Sequence, residues 1–400
     1  MAFLRYNRCS IKCRCLVINN PNKINDDSVN LPIEPVINNT ELKIATFNLF
    51  NYLEPPNAYY EFERIYTAEQ WARKQRWITE YINEQQPDVI GFQEIFSIES
   101  LKELMLNQGY NHFAVVDKPH VIDDFIFKHP VVGIASKYPI VDVIAVEHDE
   151  ELACSLGLTQ AFSFSRKVLR ATVTLPHLGD TDCYVVHFKS KRGMLEVDEH
   201  NKAVTAEQNI VDILKANVAG SWGSTIQRGS EATLLMIQMI TRREATQYPM
   251  VLMGDFNNDL TDGVLSHLLT NTLRFAPALD AKAYLAKYCL YDSWALFEKL
   301  AISIDDAELA NTNINTNTNS DNNIAKQAPL TRKPTHYFGT SSSVLDYILL
   351  SCEFDSSYDD SFFEVSDHTT YDRHLINPEY ERDDLTTDHG VVCITLSLRT

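Results

Sequence analysis

Short apolar runs that break off at a polar or charged side chain are the feature of this chain that most restricts its fold. Glu41-Leu-Lys-Ile-Ala-Thr-Phe-Asn48 carries Leu42, Ile44 and Phe47 up to an asparagine, and Val89-Ile-Gly-Phe-Gln-Glu94 ends on a carboxylate. The run from Cys183 reaches His187, Met250-Val-Leu-Met-Gly-Asp255 is followed by Asn257, and Asp388-His389 leads into Gly390-Val-Val-Cys-Ile-Thr-Leu-Ser397. Runs of this length and composition read as strands, the first half-buried and the last central in its sheet. Each ending has a bland reading by itself: an Asp caps a turn, an Asn tolerates awkward backbone angles, a His satisfies a core contact. Their recurrence predicts strand ends that converge on one cleft. Hard oxygen donors there suit Mg²⁺ or Mn²⁺ rather than zinc.

Between the strands the pattern turns helical. Thr67-Ala-Glu-Gln70 has the form of a capping box, and Trp71, Trp77, Ile78, Tyr81 and Ile82 recur at helical spacing until Pro87. A second helix is expected from about Ser97 to Asn107, closed by Gly109. Further strands are expected at Val131 to Ala135, Ile140 to Val146, Leu169 to Leu175, Cys183 to Phe188 and Val344 to Leu350. Two helical stretches are expected from about Val197 to Ala216 and from Ser230 to Thr246. Strands alternating with helices give an α/β chain.

The Asn-, Pro- and Asp-rich stretch up to residue 40 reads as a flexible N-terminal arm, leaving one domain over 41–400. An Asn/Thr-rich tract near 309–326 cannot bury enough apolar surface to offset its ordering entropy, and reads as a disordered insertion. With 44% hydrophobic residues, the remainder can fill a large core. The formal charge of −19 argues against a protein that coats nucleic acid with a broad basic face, so any polyanion must meet a local basic site. The cysteines show no C-x-x-C pair and read as buried free thiols; Cys9, Cys13 and Cys15 cluster in the leader. Arg, Lys and Cys interrupt the apolar stretches of the first 20 residues, and no window is apolar enough to span a membrane, so a cytoplasmic protein is expected. Oligomeric state has no signature in the sequence.

Thr46-Phe-Asn48-Leu, Gly91-Phe-Gln-Glu94-Ile, Val186-His187-Phe-Lys-Ser190, Gly254-Asp255-Phe-Asn257, Leu345-Asp346-Tyr-Ile-Leu349 and Thr387-Asp388-His389-Gly follow one another along the chain. In kind and order they resemble the motifs of the endonuclease/exonuclease/phosphatase superfamily, in its deoxyribonuclease-like, bacterial nuclease-type form. The resemblance covers Glu41 to Thr400. It implies a four-layered sandwich: two mixed β-sheets packed face to face, with helices outside and the site at one edge. It also implies Glu94 as principal metal ligand, with Asn48 and Asp388 near the cation, and Mg²⁺ or Mn²⁺ as cofactor. Asp255 and Asn257 would orient the attacking water and phosphoryl oxygens. His389 would be the general base, Asp346 would accept its other ring proton, and His187 would donate at the phosphate.

Arg166 and Lys189, with Lys191, are candidate phosphate contacts, although a solvated basic edge would also account for them. Ser366-Asp367-His368 is a second candidate for the terminal motif; Asp388-His389 is preferred because a glycine and a long apolar strand follow it. The expected activity is a Mg-dependent phosphodiesterase, first a nuclease on DNA or RNA. A phosphatase acting on sugar phosphates or a sphingomyelinase-like phospholipid phosphodiesterase shares the metal site, and a non-catalytic binding protein on the same fold is a remote alternative.

Overall fold

A computed structural model describes residues 40–195, 205–269, 281–303, 330–359 and 361–399. The chain divides into two units, Met1–Asn38 and Asn39–Thr400. The expected arm, its three cysteines and the Asn/Thr tract lie outside the described residues.

The strands are β1 (Glu41–Tyr52), β2 (Ala58–Tyr59), β3 (Val89–Ile95), β4 (His112–Val115), β5 (His120–Ile122), β6 (Ile126–Lys128), β7 (Val131–Ser136) and β8 (Ile140–Val146). They continue as β9 (Val168–Leu175), β10 (Gly179–His187), β11 (Met250–Asp255), β12 (Tyr291–Asp292), β13 (His336–Phe338), β14 (Ser341–Ser343), β15 (Asp346–Leu350), β16 (Phe363–Tyr371) and β17 (Val391–Leu398). Two six-stranded mixed sheets result, ordered β16-β17-β1-β3-β7-β4 and β12-β15-β11-β10-β9-β8; β13-β14 is a separate hairpin. The first four helices are α1 (Ala68–Gln85), α2 (Ile98–Asn107), α3 (Glu150–Ser155) and α4 (Ala206–Thr246).

Period-2 alternation assigns one side chain of each strand pair to each face, and the buried clusters reveal what lies against it. Leu42, Ile44, Val89 and Ile394 from the first sheet share one core with Val185, Val251, Met253 and Ile348 from the second. The approach is close, because a Cβ on Gly91 would meet Met253 Sδ at 2.9 Å. The opposite face of the first sheet, through Ala45, Phe47 and Phe92, packs on Trp77, Ile78, Tyr81 and Ile82 of α1 and on Leu101 and Met105 of α2. The outer face of the second sheet, through Tyr184, Val186 and Leu252, packs on Leu235, Met236 and Met239 of α4. Helix, sheet, sheet, helix is the four-layered sandwich that the motifs implied.

Thr67 caps α1 with the reciprocal bonds of a capping box: its Oγ1 accepts from Gln70 N at 3.1 Å, and Gln70 Oε1 accepts from Thr67 N at 2.9 Å. Gly109 lies at φ +86 just beyond α2. Two expectations are corrected. The strand at Glu41 is central and buried on both faces rather than half-buried, because α1 covers the side opposite the inter-sheet core. The helices expected from about Val197 to Ala216 and from Ser230 to Thr246 are, over the described residues, one 41-residue helix, α4; Gly220, Gly223 and Gly229 weaken helix propensity by only about 1 kcal/mol each, too little to break a helix whose C-terminal half packs on the second sheet. Ser366-Asp367-His368, the second candidate for the terminal motif, lies inside edge strand β16, paired with β17. No helix among the described residues is long and apolar enough to cross a membrane.

Candidate active site

Strand register brings the polar endings together. His187 on β10 is aligned with Asp255 on β11, and Asp255 with Asp346 on β15, so three adjacent strands of the second sheet present three titratable groups in a row. In the first sheet β1 and β3 run parallel with Asn48 beside Gln93, which puts Glu94 one residue further along the same edge. Because the sheets stack face to face, the two rows meet at one rim. A cavity of about 580 Å³ opens there, bordered by Glu94, His187, Asp255, Asn257, Asp388 and His389.

Asp255 sits at the centre. Its Oδ2 accepts from Asn48 Nδ2 at 3.1 Å and Asn257 Nδ2 at 3.2 Å, its Oδ1 accepts from Asn257 N at 2.8 Å, and His187 Nε2 is 3.4 Å from Oδ2. Gly254 beside it cannot be any other residue, since a Cβ would meet Val186 O at 2.0 Å. Burial pushes the Asp255 carboxyl up to about 7. His389 Nδ1 lies 2.8 Å from Asp346 Oδ2, while Nε2 is 3.8 Å from Asp255 and 4.0 Å from Asp388. Thr335 Oγ1 accepts from Asp346 N at 3.1 Å, fixing the carboxylate's strand. Burial opposes charge on His389, but the carboxylates of Asp346 and Asp255 outweigh it and hold its imidazolium well above the ordinary value. Burial, with Arg166 adding to it, drives His187 the other way, well below.

Glu94 Oε2 accepts from Asn51 N at 2.9 Å, and burial followed by the Asp388 charge raises its carboxyl. Glu94, Phe50, Asn51 and Asn257 all hold positive φ, at 62, 50, 55 and 53. Non-glycine residues in this region cost roughly 1 kcal/mol each, and their concentration around one cavity marks a functional rim. Among the described residues no lysine or arginine pairs with either Glu94 or Asp388, and Asn51 Oδ1 is buried without a hydrogen-bond partner beside them. These hard oxygens fit a divalent cation. Among the described residues two groups of three have ligand-type atoms within 4.8 Å of one another, His336 with Asp388 and His389, and Asp255 with Asp346 and His389; Glu94 belongs to neither, and lines the cavity together with Asp255, His336, Asp388 and His389.

Beneath the rim Lys74 of α1 is fully buried. Its ammonium donates to Phe50 O at 2.9 Å, Leu385 O at 3.2 Å and Thr386 O, tying the end of β1 to the loop before Asp388. Burial pushes it down to about 7.

Not every expected residue reaches the cavity. Asn48 lies below it, spent on Asp255 and on Phe50 N, and Asp346 lies behind His389. Arg166 and Lys191 line the cavity, whereas Lys189 turns its ammonium onto Arg192 O at 3.1 Å. Asp388 and His389 are at the cavity. His368 is instead buried 5.3 Å from the Trp294 ring with neither ring nitrogen partnered. Sequence reasoning missed Asn51, Lys74, Tyr60, Arg192, His336 and Phe338. Of these only Phe338 carries a local signal, an apolar residue beside a hairpin glycine; it is 81% exposed at the cavity mouth.

The family model described as Endonuclease/Exonuclease/phosphatase family matches residues 45–368. The match ends at His368, short of the pair that the fold brings to the cavity. No curated protein matches the chain. Among solved structures, an endonuclease/exonuclease/phosphatase from Beutenbergia cavernae is 17% identical at a TM-score of 0.45, covering 90% of this chain and 72% of its own. The human Nocturnin catalytic domain with bound sulfate is 13% identical at 0.48, covering 90% and 95%. Danio rerio TDP2 complexed with single-strand DNA product is 15% identical at 0.43, covering 89% and 99%.

Proposed function

Because the chain belongs to the endonuclease/exonuclease/phosphatase family, whose members are typically hydrolases acting on phosphoester bonds, we propose that it is a divalent-metal-dependent phosphodiesterase. The observation that carries this reading is the convergence of Glu94, His187, Asp255, Asp388 and the Asp346–His389 pair on one rim. Glu94, Asp388 and the unpartnered Asn51 Oδ1 would hold Mg²⁺ or Mn²⁺. When bound, the cation polarises the phosphoryl oxygens and offsets the carboxylates that hold His389 protonated.

The chain's own groups do the rest. Asp346 fixes the proton on His389 Nδ1 and leaves Nε2 free to accept one from water. Asp255, braced by Asn48 and Asn257, orients that water for in-line attack on phosphorus. As the new P–O bond forms the ester P–O bond opposite breaks, and its oxygen leaves with a proton from solvent. His187, held neutral, stabilises the phosphoryl oxygens as a hydrogen-bond donor, and Arg166 pairs with their charge. No covalent enzyme intermediate is needed.

Nucleic acid, as single strands or ends, is the substrate class that this cavity favours. Arg166, Lys191 and Arg192 supply local positive charge against a chain of −19, and exposed Phe338 offers a face on which a base can stack. A phospholipid is the second reading. Leu214, Val218 and Trp222 on α4 are 62%, 67% and 66% exposed, and Met194 and Leu195 follow the cavity's Lys191 and Arg192.

The test incubates purified protein and Mg²⁺ with plasmid, single-stranded DNA, RNA, sphingomyelin and inositol phosphates. Cleavage of single-stranded DNA or RNA, lost on EDTA treatment and in Glu94→Ala and His389→Ala, is the expected result. Product from lipid alone would reject the nuclease reading; rates unchanged in both variants would leave a binding protein on this fold.

A further inference from the structure

The basic mouth of the cavity is carried by two loops that share no strand: one bears Arg166, the other Lys191 and Arg192. Loops hold charges in place only where something fixes their backbones. Here a single face of α4 does so. Gly220, Ser224, Gln227 and Glu231 follow one another at spacings of three and four, and Arg228 stands four after Ser224 and three before Glu231, so all five share a side of the helix.

Each of the five contacts a loop. Met194 N donates to Gly220 O at 3.2 Å, and Ser224 Oγ donates to Arg192 O. Gln227 Nε2 donates to Ser163 O at 2.8 Å, and Arg228 donates to Lys189 O at 2.9 Å. Glu231 joins the two loops: one carboxylate oxygen accepts from Ser165 N, the other from Lys189 N, both at 2.7 Å. The residue is 1% exposed, and its other hydrogen-bond partner is Gln227 Nε2, 3.0 Å from the first oxygen. A carboxylate held dry and bonded to two backbone amides is a rigid, charge-assisted brace.

We propose that Glu231 is a positioning residue, a clamp that sets the spacing between Arg166 and the Lys191–Arg192 loop and thereby the grip on the substrate phosphate. It touches neither substrate nor cation. The proposal rests on the phosphodiesterase reading for what the cavity binds, and it leaves the water-activating groups on the sheet rim unchanged. Binding and chemistry should therefore separate on mutation.

Glu231→Gln keeps the shape but sets an NH₂ group against one backbone N–H. With Mg²⁺ present, KM for bis(p-nitrophenyl) phosphate and Kd for inorganic phosphate should rise roughly tenfold, the size of one lost charged hydrogen bond. The Mg²⁺ half-saturation and kcat should stay within about twofold of wild type, as expected where only ground-state binding is lost. Glu231→Asp, which keeps the charge, should recover part of the affinity. Gly220→Ala attacks the same clamp without weakening the helix: alanine is the better helix former, but its Cβ would meet Met194 N at 2.9 Å. It should raise KM with the melting temperature unchanged, and it decides the matter if Glu231→Gln does not fold. Wild-type KM and phosphate affinity in both variants, or a fall in kcat alone, would overturn the clamp. If the wild-type protein cleaves no phosphodiester the functional reading fails instead, and inorganic phosphate binding still tests the clamp by itself.

Discussion

At the scale of single residues, Asp346 decides what His389 can do. Without its acceptor at Nδ1 the ring can flip tautomer, putting the proton on the nitrogen that must receive one from water. Asp346→Asn should therefore lower kcat by roughly 10²- to 10⁴-fold with KM little changed, measured on the best substrate at saturating Mg²⁺. A loss under about fivefold would remove His389 from the base role. The asparagines carry a different lesson. Asn48 was legible because it closes an apolar run, yet its side chain braces Asp255, and the orphaned oxygen beside Glu94 belongs to Asn51. The left-handed backbone of Phe50 and Asn51 turns that second side chain toward the cavity, and strand alternation cannot predict a turn of this kind.

Elements explain the competing terminal motif. Ser366-Asp367-His368 has the residues of the motif but lies inside β16, whose pairing with β17 turns His368 toward Trp294, while Asp388-His389 immediately precedes β17 and faces the rim. Burial pushes His368 down to about 3 from an ordinary 6.5. The unfolded chain thus binds a proton that the folded chain refuses: this contribution is complete above pH 6.5 and is lost as pH falls from there toward 3. Stability should drop by roughly 1.4 kcal/mol per pH unit on its account, and His368→Leu should flatten that acid limb in urea titrations at pH 4 to 7. An unaltered limb would mean that His368 is solvated. Helix α4 belongs to the same scale. The sequence reads as two helical stretches, but α4 runs unbroken through Gly220, where the Arg192–Met194 loop comes closest.

For the whole molecule, charge is the relevant quantity. A net −19 disfavours a polyanion over the surface at large, whereas Arg166, Lys191 and Arg192 gather positive charge at the mouth of the cavity. About three phosphate contacts on single strands predict that log KM rises with log salt at a slope of about 2, from the roughly 0.7 per contact for single strands. Measuring KM on an oligonucleotide between 50 and 200 mM NaCl checks this, and a slope above about 5 would require a far larger basic surface.

The strands and their polar endings were legible because hydrophobic periodicity is a local property, and local chemistry suffices to say that a run is a strand and that its end is unusual, whereas the burial of β1 on both faces depends on α1 covering it. The capping box of α1 and all six motif positions belong to that class. Tertiary structure alone decided which endings meet. Parallel pairing of β1 with β3 and of β10 with β11 joins residues far apart in sequence, and only the stacking of the two sheets brings Glu94 and His389 of the first to the same rim as His187 and Asp255 of the second. Lys74 under the rim and Glu231 behind the loops were invisible for the same reason: a buried charge is defined by partners contributed by other segments, and no window of sequence contains them.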